Sequence, residues 1–522
     1  MGFRGRHRGR AGKGWLCVLA LLLSARAAAA QHVEAREVVL SNGMRVLVVP
    51  RAGDPLVAAG WVARVGSVNE HTGITGITHL LEHMMFKGTR AVGTSNAEEE
   101  ARVRREVDRV REEITREEQR LEERRRRGEI QDANDPGQRS AHHRELLAKF
   151  EELSKAEKGL AVKDEFDRIY ANAGAEDSNA ATTPDFTLYY VKVPAKKLEL
   201  WFWMESDRLL DPVFREFYSE RAVVREERRL RIDSTPTGKF DELFDAMFWQ
   251  SSPYAWPVAG WPSDLENITR QEALDYFSVN YAPENVTACL VGDFDPATAE
   301  ALARKYFGRI PRGPRRPEPV RTVEMKQLAE KRMVAYLDAS PQVVIRYHSV
   351  ADGHRDEAAL LLLADLLNGN TGRLYKSLVL RDGVANSASA SQEGRKYEGL
   401  FEFQGVARQG TKPEEVEQAI YQELERLRKE PVSEEELRKV KNRSVADDFR
   451  RLQTNFGLMV QLLEREAYRG WRTLNTDSAQ VQAVTAGDIM RVANTYFAPE
   501  NRTVALYYTK GTTGGAPLSS DK

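Results

Sequence analysis

The sequence predicts an α+β protein of two homologous halves, each an antiparallel sheet with helices packed on one side. Three observations predict this class: a helix–turn–strand pattern occurs twice, short alternating apolar runs indicate β-hairpins, and long helical patterns separate those runs. The chain has 522 residues, 41% of them hydrophobic, which is enough for several cores. No phosphate-binding glycine loop follows a predicted strand, so nucleotide chemistry has no support.

The repeat relates residues 268–294 to residues 484–510 at a constant offset of 216 positions. In both segments a threonine opens a helical pattern, an aromatic pair and the letters A-P-E-N follow, and an alternating strand ends the unit. We therefore expect an N-terminal domain over residues 31–310 and a homologous C-terminal domain over residues 325–510. Residues 311–324 between them are rich in proline and arginine, as expected of a linker.

Both ends of the chain are predicted to lie outside these domains. Residues 1–30 have a basic head, the apolar stretch Trp15–Leu23 and a run of small residues, which is the pattern of a cleaved secretory signal peptide. Because the apolar stretch is too short for an anchor, we expect an exported protein, periplasmic or secreted, without stable membrane insertion. Residues 511–522 are predicted to be a disordered tail.

Charge and cysteine content exclude several classes of function. The signal segment holds six of the 77 basic residues and no acidic residue, so its removal leaves a net charge of −7. A mildly acidic chain has no electrostatic reason to bind nucleic acid or anionic lipid. After that removal Cys289 is the one cysteine, which excludes an internal disulfide and a CxxC zinc site.

The first half is predicted to begin with three strands and a helix. Residues 36–50 indicate a hairpin in which Asn42 and Gly43 supply a type I′ turn, and residues 56–68 indicate a third strand. Residues 73–88 have the apolar spacing of a helix and end on a glycine stop signal.

An intensely charged insertion follows over residues 97–159. Its apolar residues keep a four–three spacing on both sides of the turn at residues 132–140, which predicts an antiparallel helical hairpin. Two interpretations are open at this point. The hairpin is either a solvated decoration or an arm that docks a partner or covers a site.

The stretch THLLEHMMFKGT carries His79 and His83 four positions apart, with Glu82 immediately before the second histidine. On a helix both imidazoles share one face, which suits Zn²⁺, and Glu82 is close enough to reach a metal-activated water. The alternative is a pair of ordinary histidines. With nine histidines in the chain, H-x-x-E-H arises by chance on the order of once in a hundred such sequences.

A catalytic zinc site needs a third ligand. No other histidines form an obvious helical pair, so carboxylates are the better candidates. Residues 216–233 predict a helix on which Glu220 and Glu227 lie two turns apart on one face. Charged helices of this composition usually face solvent, so the spacing alone leaves their role open.

Four motifs together resemble the pitrilysin and mitochondrial-processing-peptidase family of zinc metallopeptidases, the inverzincins. The motifs occur in the family's order, and the resemblance covers nearly all of residues 35–510 except the helical hairpin. They read HLLEHMMFKGT, NAATTPDFTLYY, ERAVVREE and GRLYKSLVLRDGVA. The resemblance implies one zinc ion per chain, held by His79, His83 and Glu227. It also implies Glu82 as the general base and Glu220 as a supporting catalytic carboxylate.

Glu227 is preferred to its neighbour Glu226 because its seven-residue step from Glu220 matches the family helix. Glu226 would point about 100° away on that helix.

The resemblance also implies where substrate binds. Asn179, Ala180 and Thr182 would lie on a strand that pairs with an extended peptide, and Arg381 would reach the substrate from the second half. Turn chemistry before a strand is the alternative for Asn179 and Thr182. Asn386 stands where the family has a tyrosine, so either the site is completed differently or a partner subunit supplies the missing group.

These features predict an exported zinc endopeptidase that hydrolyses extended peptides or unfolded polypeptides through a metal-activated water. The rival is a non-catalytic structural or assembly subunit of a related heteromeric complex. The expected partners are a peptide substrate and either a related chain, in a heterodimer, or a second copy of this chain.

Overall fold

The computed structural model describes residues 32–511. The predicted signal peptide and, apart from Gly511, the predicted tail lie outside the described residues. Two β-sheets organise this part of the chain, one on each side of residues 311–330, which have no regular secondary structure. Their strands are β1 Arg36–Val39, β2 Arg45–Pro50, β3 Leu56–Ala63, β4 Glu176–Thr182, β5 Thr187–Pro194, β6 Val286–Gly292, β7 Lys331–Leu337, β8 Gln342–Ser349, β9 Ala385–Gly394, β10 Gly399–Ala407 and β11 Arg502–Thr509.

Helices fill the intervals between the strands. In the first half they are α1 Ile77–Met84, α2 Ala97–Arg126, α3 Ala141–Leu160, α4 Glu165–Asn172, α5 Leu198–Leu210, α6 Phe217–Arg228, α7 Gly238–Phe248, α8 Pro262–Asn267, α9 Arg270–Asn280 and α10 Pro296–Tyr306. In the second half they are α11 Glu357–Leu367, α12 Pro413–Lys429, α13 Glu434–Arg451, α14 Asn455–Tyr468, α15 Leu474–Ala483 and α16 Ala486–Tyr496. Helices α2 and α3 form the predicted hairpin.

The two sheets follow the same path. The first has the order β1-β2-β6-β3-β5-β4 and the second β7-β11-β8-β10-β9, so five strands correspond one to one. The predicted α+β class with repeated halves is confirmed, with one difference in the sheets. The pairs β2–β6 and β7–β11 are parallel, because the last strand of each half returns through a helical crossover to lie beside an early strand.

The repeat explains why the closing units of the halves match residue for residue. Helices α9 and α16 begin and end 216 positions apart, as do the prolines that open the short turns after them. Each helix begins with the same capping box: Thr269 with Glu272, and Thr485 with Asp488. The side chains of each box satisfy backbone N–H groups that the first helical turn leaves free.

One helix of each half packs against the sheet of the other half. Helix α14 packs Met459, Leu462 and Leu463 on the face of the first sheet that its own helices leave open. Helix α7 places Phe240 and Phe244 on the corresponding face of the second sheet. The first sheet is therefore covered on both faces, whereas the sequence predicts helices on one side. None of the helices within residues 32–511 is long and apolar enough to cross a membrane.

We expect Leu462→Ala to lower the free energy of unfolding by about 2 to 5 kcal/mol, because Leu462 is fully buried between α14 and the first sheet. The matched control is Leu361→Ala, whose side chain on α11 is 41% exposed. Urea unfolding followed by tryptophan fluorescence measures both. Equal losses in the two variants would show that α14 is not docked on the sheet.

Candidate metal centre

Helix α1 carries the paired histidines, and its first turn is fixed by a buried carboxylate. Gly76, with φ of +88°, turns the chain into the helix, which begins at Ile77 rather than near residue 73. Glu70 accepts hydrogen bonds from the backbone N–H groups of Gly76 at 2.7 Å and Thr78 at 2.8 Å. Burial raises the pKa of Glu70 to about 8, although these two bonds act in the opposite direction.

Helix α6 carries the predicted third ligand. It ends at Arg228 and continues as a π-helical segment over Arg229–Asp233, so the single helix predicted for residues 216–233 is divided. Val224 is fully buried, whereas the adjacent Val223 is 50% exposed. One residue rotates a helix by about 100°, so only one of two adjacent valines can face α1.

The two helices bring three ligand atoms together. The Oε2 atom of Glu227 lies 3.2 Å from Nε2 of His83 and 3.9 Å from Nε2 of His79. One donor atom from each of the three residues lies within 4.8 Å of the other two. Glu226 instead bonds Arg229 with a side chain that is 54% exposed, so it is turned away from the histidines.

This donor set fits a divalent ion such as Zn²⁺. Tetrahedral bonds of about 2.0 to 2.2 Å place neighbouring ligand atoms about 3.4 Å apart, and the two measured separations lie on either side of this value. Three protein ligands of mixed nitrogen and oxygen leave one position open for water or substrate. The Nδ1 atom of His79 is buried without a hydrogen-bond partner among the described residues.

Further charged groups orient the ligands. Glu220 Oε1 lies 3.1 Å from Nδ1 of His83, while Lys87 binds its other oxygen at 2.6 Å. Arg231 binds Oε1 of Glu227 at 2.8 Å, which leaves Oε2 for the histidines. Sequence reasoning missed Lys87 and Arg231. Arg231 lies four residues after Glu227, so the i,i+4 pairing rule is the signal that could have found it. Lys87 pairs with Glu220, which is far away in sequence, so no local spacing indicates it.

Burial and neighbouring charge give the titratable groups different pKa values. Burial, followed by the charge of His83, lowers the pKa of His79 to about 4. Burial alone would lower the pKa of His83, but the hydrogen bond and charge of Glu220, with the charge of Glu227, raise it overall. Burial raises the pKa of Glu82, and a hydrogen bond from the Thr182 hydroxyl to Oε2 opposes that rise. Glu82 is thus a carboxylate suited to take up a proton.

A cleft of about 970 Å³ surrounds these groups. Its wall includes His79, Glu82, His83, Glu220 and Glu227, together with residues 179–182 of β4. Strand β4 is the last strand of its sheet and pairs with β5 alone, so its other edge is open. The structure therefore places Asn179, Ala180 and Thr182 on a free edge beside the three ligand atoms.

Among the described residues, those that line this cleft all belong to the first half. Arg381 is not on the cleft wall, and its guanidinium bonds the neighbouring Asp382 at 2.7 and 2.8 Å. The prediction that Arg381 lies at the substrate site is therefore not met within this chain, because its local partner already satisfies the charge. Asn386 bonds the Ala407 carbonyl at 3.3 Å and lies on β9.

Comparisons with known proteins show which families the chain is similar to. Residues 45–103 match the family described as Insulinase (Peptidase family M16), and residues 267–444 match the Peptidase M16 inactive domain. The second match contains none of the three convergent ligands, which lie between residues 79 and 227.

Relatives are similar over between about a third and nearly all of the chain. The zinc protease PqqE of Helicobacter pylori is 26% identical over 500 residues, which cover 94% of this chain and 96% of that protein. The mitochondrial-processing peptidase subunit beta of Saccharomyces cerevisiae is 27% identical over 194 residues, or 35% of this chain and 40% of that one. The crystal structure of a protease from Helicobacter pylori shares the fold with a TM-score of 0.74 and 24% identity, over 91% of this chain and 99% of that one.

Two repeated α+β halves and an H-x-x-E-H helix are the features expected of an inverzincin. The M16 family models and the zinc protease PqqE, to which this chain is similar, agree with the pitrilysin-like family that the sequence motifs suggest.

We expect Glu220→Ala to weaken zinc affinity about 10- to 100-fold, because the variant removes the group that orients His83 without removing a ligand. Competition with a fluorescent chelator measures the change. Glu226→Ala, on the same helix but facing solvent, is the matched control. An unchanged affinity in Glu220→Ala would mean that Glu220 does not orient the ligand.

Proposed function

We propose that this chain is a zinc-dependent endopeptidase that hydrolyses extended peptides or unfolded polypeptides. The observation that carries the proposal is the convergence of His79, His83 and Glu227 beside Glu82 at the open edge of β4. A solvated helix has no physical need for such a set of ligands. The names of the relatives support zinc and proteolysis for the family.

The three ligands would hold one zinc ion per chain. When bound, zinc supplies Lewis-acid chemistry, which lowers the pKa of a coordinated water and polarises a carbonyl oxygen. Glu82 stands one residue before a ligand and binds no metal itself, so its carboxylate is free to take a proton from the attacking water. Its raised pKa favours passing that proton on to the leaving amine.

The residues of β4 would bind the substrate. An extended peptide that pairs with the open edge gains backbone hydrogen bonds with little dependence on side chains, which suits unfolded polypeptides. Thr182 holds the Glu82 carboxylate through its hydroxyl, so the strand that receives the peptide also positions the base. Asn179 and Ala180 continue the same edge.

We also propose a second subunit and an extracytoplasmic location. The cleft wall comes from the first half alone among the described residues, so groups from a related chain or a second copy would complete it. A yeast relative is named as a subunit, which supports the heteromeric alternative. Export rests on the signal-peptide pattern of residues 1–30.

We expect Glu82→Gln to retain about one zinc per chain while kcat/KM on casein falls about 100- to 10,000-fold, because the amide cannot accept the proton. Zinc content by elemental analysis and casein cleavage measure the two effects. His79→Ala should lose the zinc, and Glu226→Gln should resemble the wild type. A Glu82→Gln variant that cleaves at the wild-type rate would contradict the assignment of Glu82 as the base. A wild-type protein that binds zinc but cleaves no casein would favour the structural subunit.

Acid should weaken zinc binding, because a proton competes with the metal for His83. The pKa of His83 is raised in the metal-free protein, so the loss should begin above the ordinary histidine value of about 6.5. His79, whose pKa is lowered to about 4, stays neutral over that range. Chelator competition between about pH 5 and 8 tests this, and in Glu220→Ala the loss should move to lower pH. An affinity that is flat over this range would contradict it.

A further inference from the structure

The inserted hairpin lies against the helix of the third ligand. Tyr218 on α6 is two residues before Glu220 and so projects from roughly the opposite face of the helix. It meets the hairpin there: its hydroxyl bonds Asp108 of α2 at 3.2 Å, and its ring contacts Phe150 of α3 edge-on at 5.6 Å. Helix α6 is therefore held between the histidine helix on one face and the insertion on the other.

The interface pairs buried charges of opposite sign. Arg215 binds Glu100 in it, and Arg270 binds Glu157 and Asp108. Glu100, Glu157, Arg215 and Arg270 are each at most 4% exposed. Removing one partner of a buried pair leaves an uncompensated charge, which is strongly destabilising, whereas exposed pairs contribute little.

Arg215 connects three parts of the site. It precedes α6, and its guanidinium binds Glu100 of the hairpin at 2.6 Å and the Thr89 carbonyl at 2.8 Å. The segment after α1 is shaped to receive it: Gly88 and Gly93 have φ of +84° and +94°, and a Cβ at either would lie within 2.9 Å of Nη1. One side chain thus ties the end of the histidine helix to the insertion and to the start of α6.

Arg270 makes the second connection. It begins α9 and binds Glu157 of α3 at 3.1 Å and Asp108 of α2 at 3.3 Å. Its guanidinium also lies 5.5 Å from the centre of the Tyr218 ring. Both helices of the hairpin are therefore fastened to the same residue beside α6.

The base of the hairpin forms part of the cleft wall. The N–H of Val162 donates a hydrogen bond to the Gly93 carbonyl at 2.9 Å, and the N–H of Ser95 donates one to the Leu160 carbonyl at 2.9 Å. These two bonds join the chain segments that enter and leave the insertion. Lys158, Ala161 and Val162 line the cleft with the three ligands. The solvent face of α2, by contrast, carries exposed pairs such as Glu106 with Arg109.

We propose that the insertion is part of the metal centre: Glu100, Asp108 and Glu157, through Arg215, Arg270 and Tyr218, are positioning residues that hold α6 where Glu227 meets the two histidines. This rests on the proposed zinc function for its effect on metal binding, but the bracing of α6 is independent of it. The hairpin is thus more than a solvated decoration, because both of its helices fasten the residues beside α6 and its base lines the cleft.

The test compares Arg270→Met with Arg109→Met, a matched change on the solvent face of the same hairpin. In the full-length protein, chelator competition gives zinc affinity, and hydrogen exchange by mass spectrometry on the metal-free protein gives the protection of residues 217–228. We expect Arg270→Met to bind zinc about 10- to 100-fold more weakly and to exchange faster in α6 but not in α14. Arg109→Met should stay within about twofold of wild type.

A folded Arg270→Met variant with wild-type zinc affinity and wild-type exchange in α6 would overturn the proposal. If that variant does not fold, Tyr218→Phe removes a single hydroxyl and should shift both readouts in the same direction by less; no shift in either would overturn the proposal equally. If the wild type binds no zinc, the proposed function fails, and the exchange of α6 alone decides the role of the hairpin.

Discussion

The site depends on one constraint: two helices that are far apart in sequence must present three ligand atoms to one point. Helix α1 supplies both imidazoles at a spacing that the helix itself guarantees. The carboxylate of Glu227 comes from α6, and no local rule places one helix against the other. Its distance from the histidine nitrogens is therefore set by everything that packs on α6, from Val224 on the inner face to Tyr218 on the outer one.

The fold supports that constraint at several levels. The sheet core buries one face of α1, and Glu70 holds the first turn of that helix through two backbone N–H groups. The segment that follows this helix is tied to the hairpin by Arg215. On the proposed bracing role, the position of the third ligand depends on the insertion, because carboxylates of the inserted hairpin help to hold the helix that carries Glu227.

Local patterns in the sequence predicted much of this, and partners far away in sequence account for what they missed. The repeat gave α9 and α16 with the same offset at both ends, because capping boxes and A-P-E-N turns are local signals. The spacing of His79, Glu82 and His83 likewise needs only helix geometry. The crossing of α7 and α14 onto the opposite sheets was not predictable, because an amphipathic pattern shows that a face is buried but not what buries it. Arg381 was expected at the cleft from resemblance, and its pairing with Asp382 shows that a matching motif does not fix where a side chain points.

The most direct test of the central claim is X-ray absorption at the zinc edge of the purified protein, with anomalous diffraction from its crystals. The account predicts one zinc per chain with two imidazole nitrogens and light oxygen donors at about 2.0 to 2.2 Å, and an anomalous peak between His79, His83 and Glu227. A zinc bound elsewhere, or a site whose third protein donor is not Glu227, would contradict it.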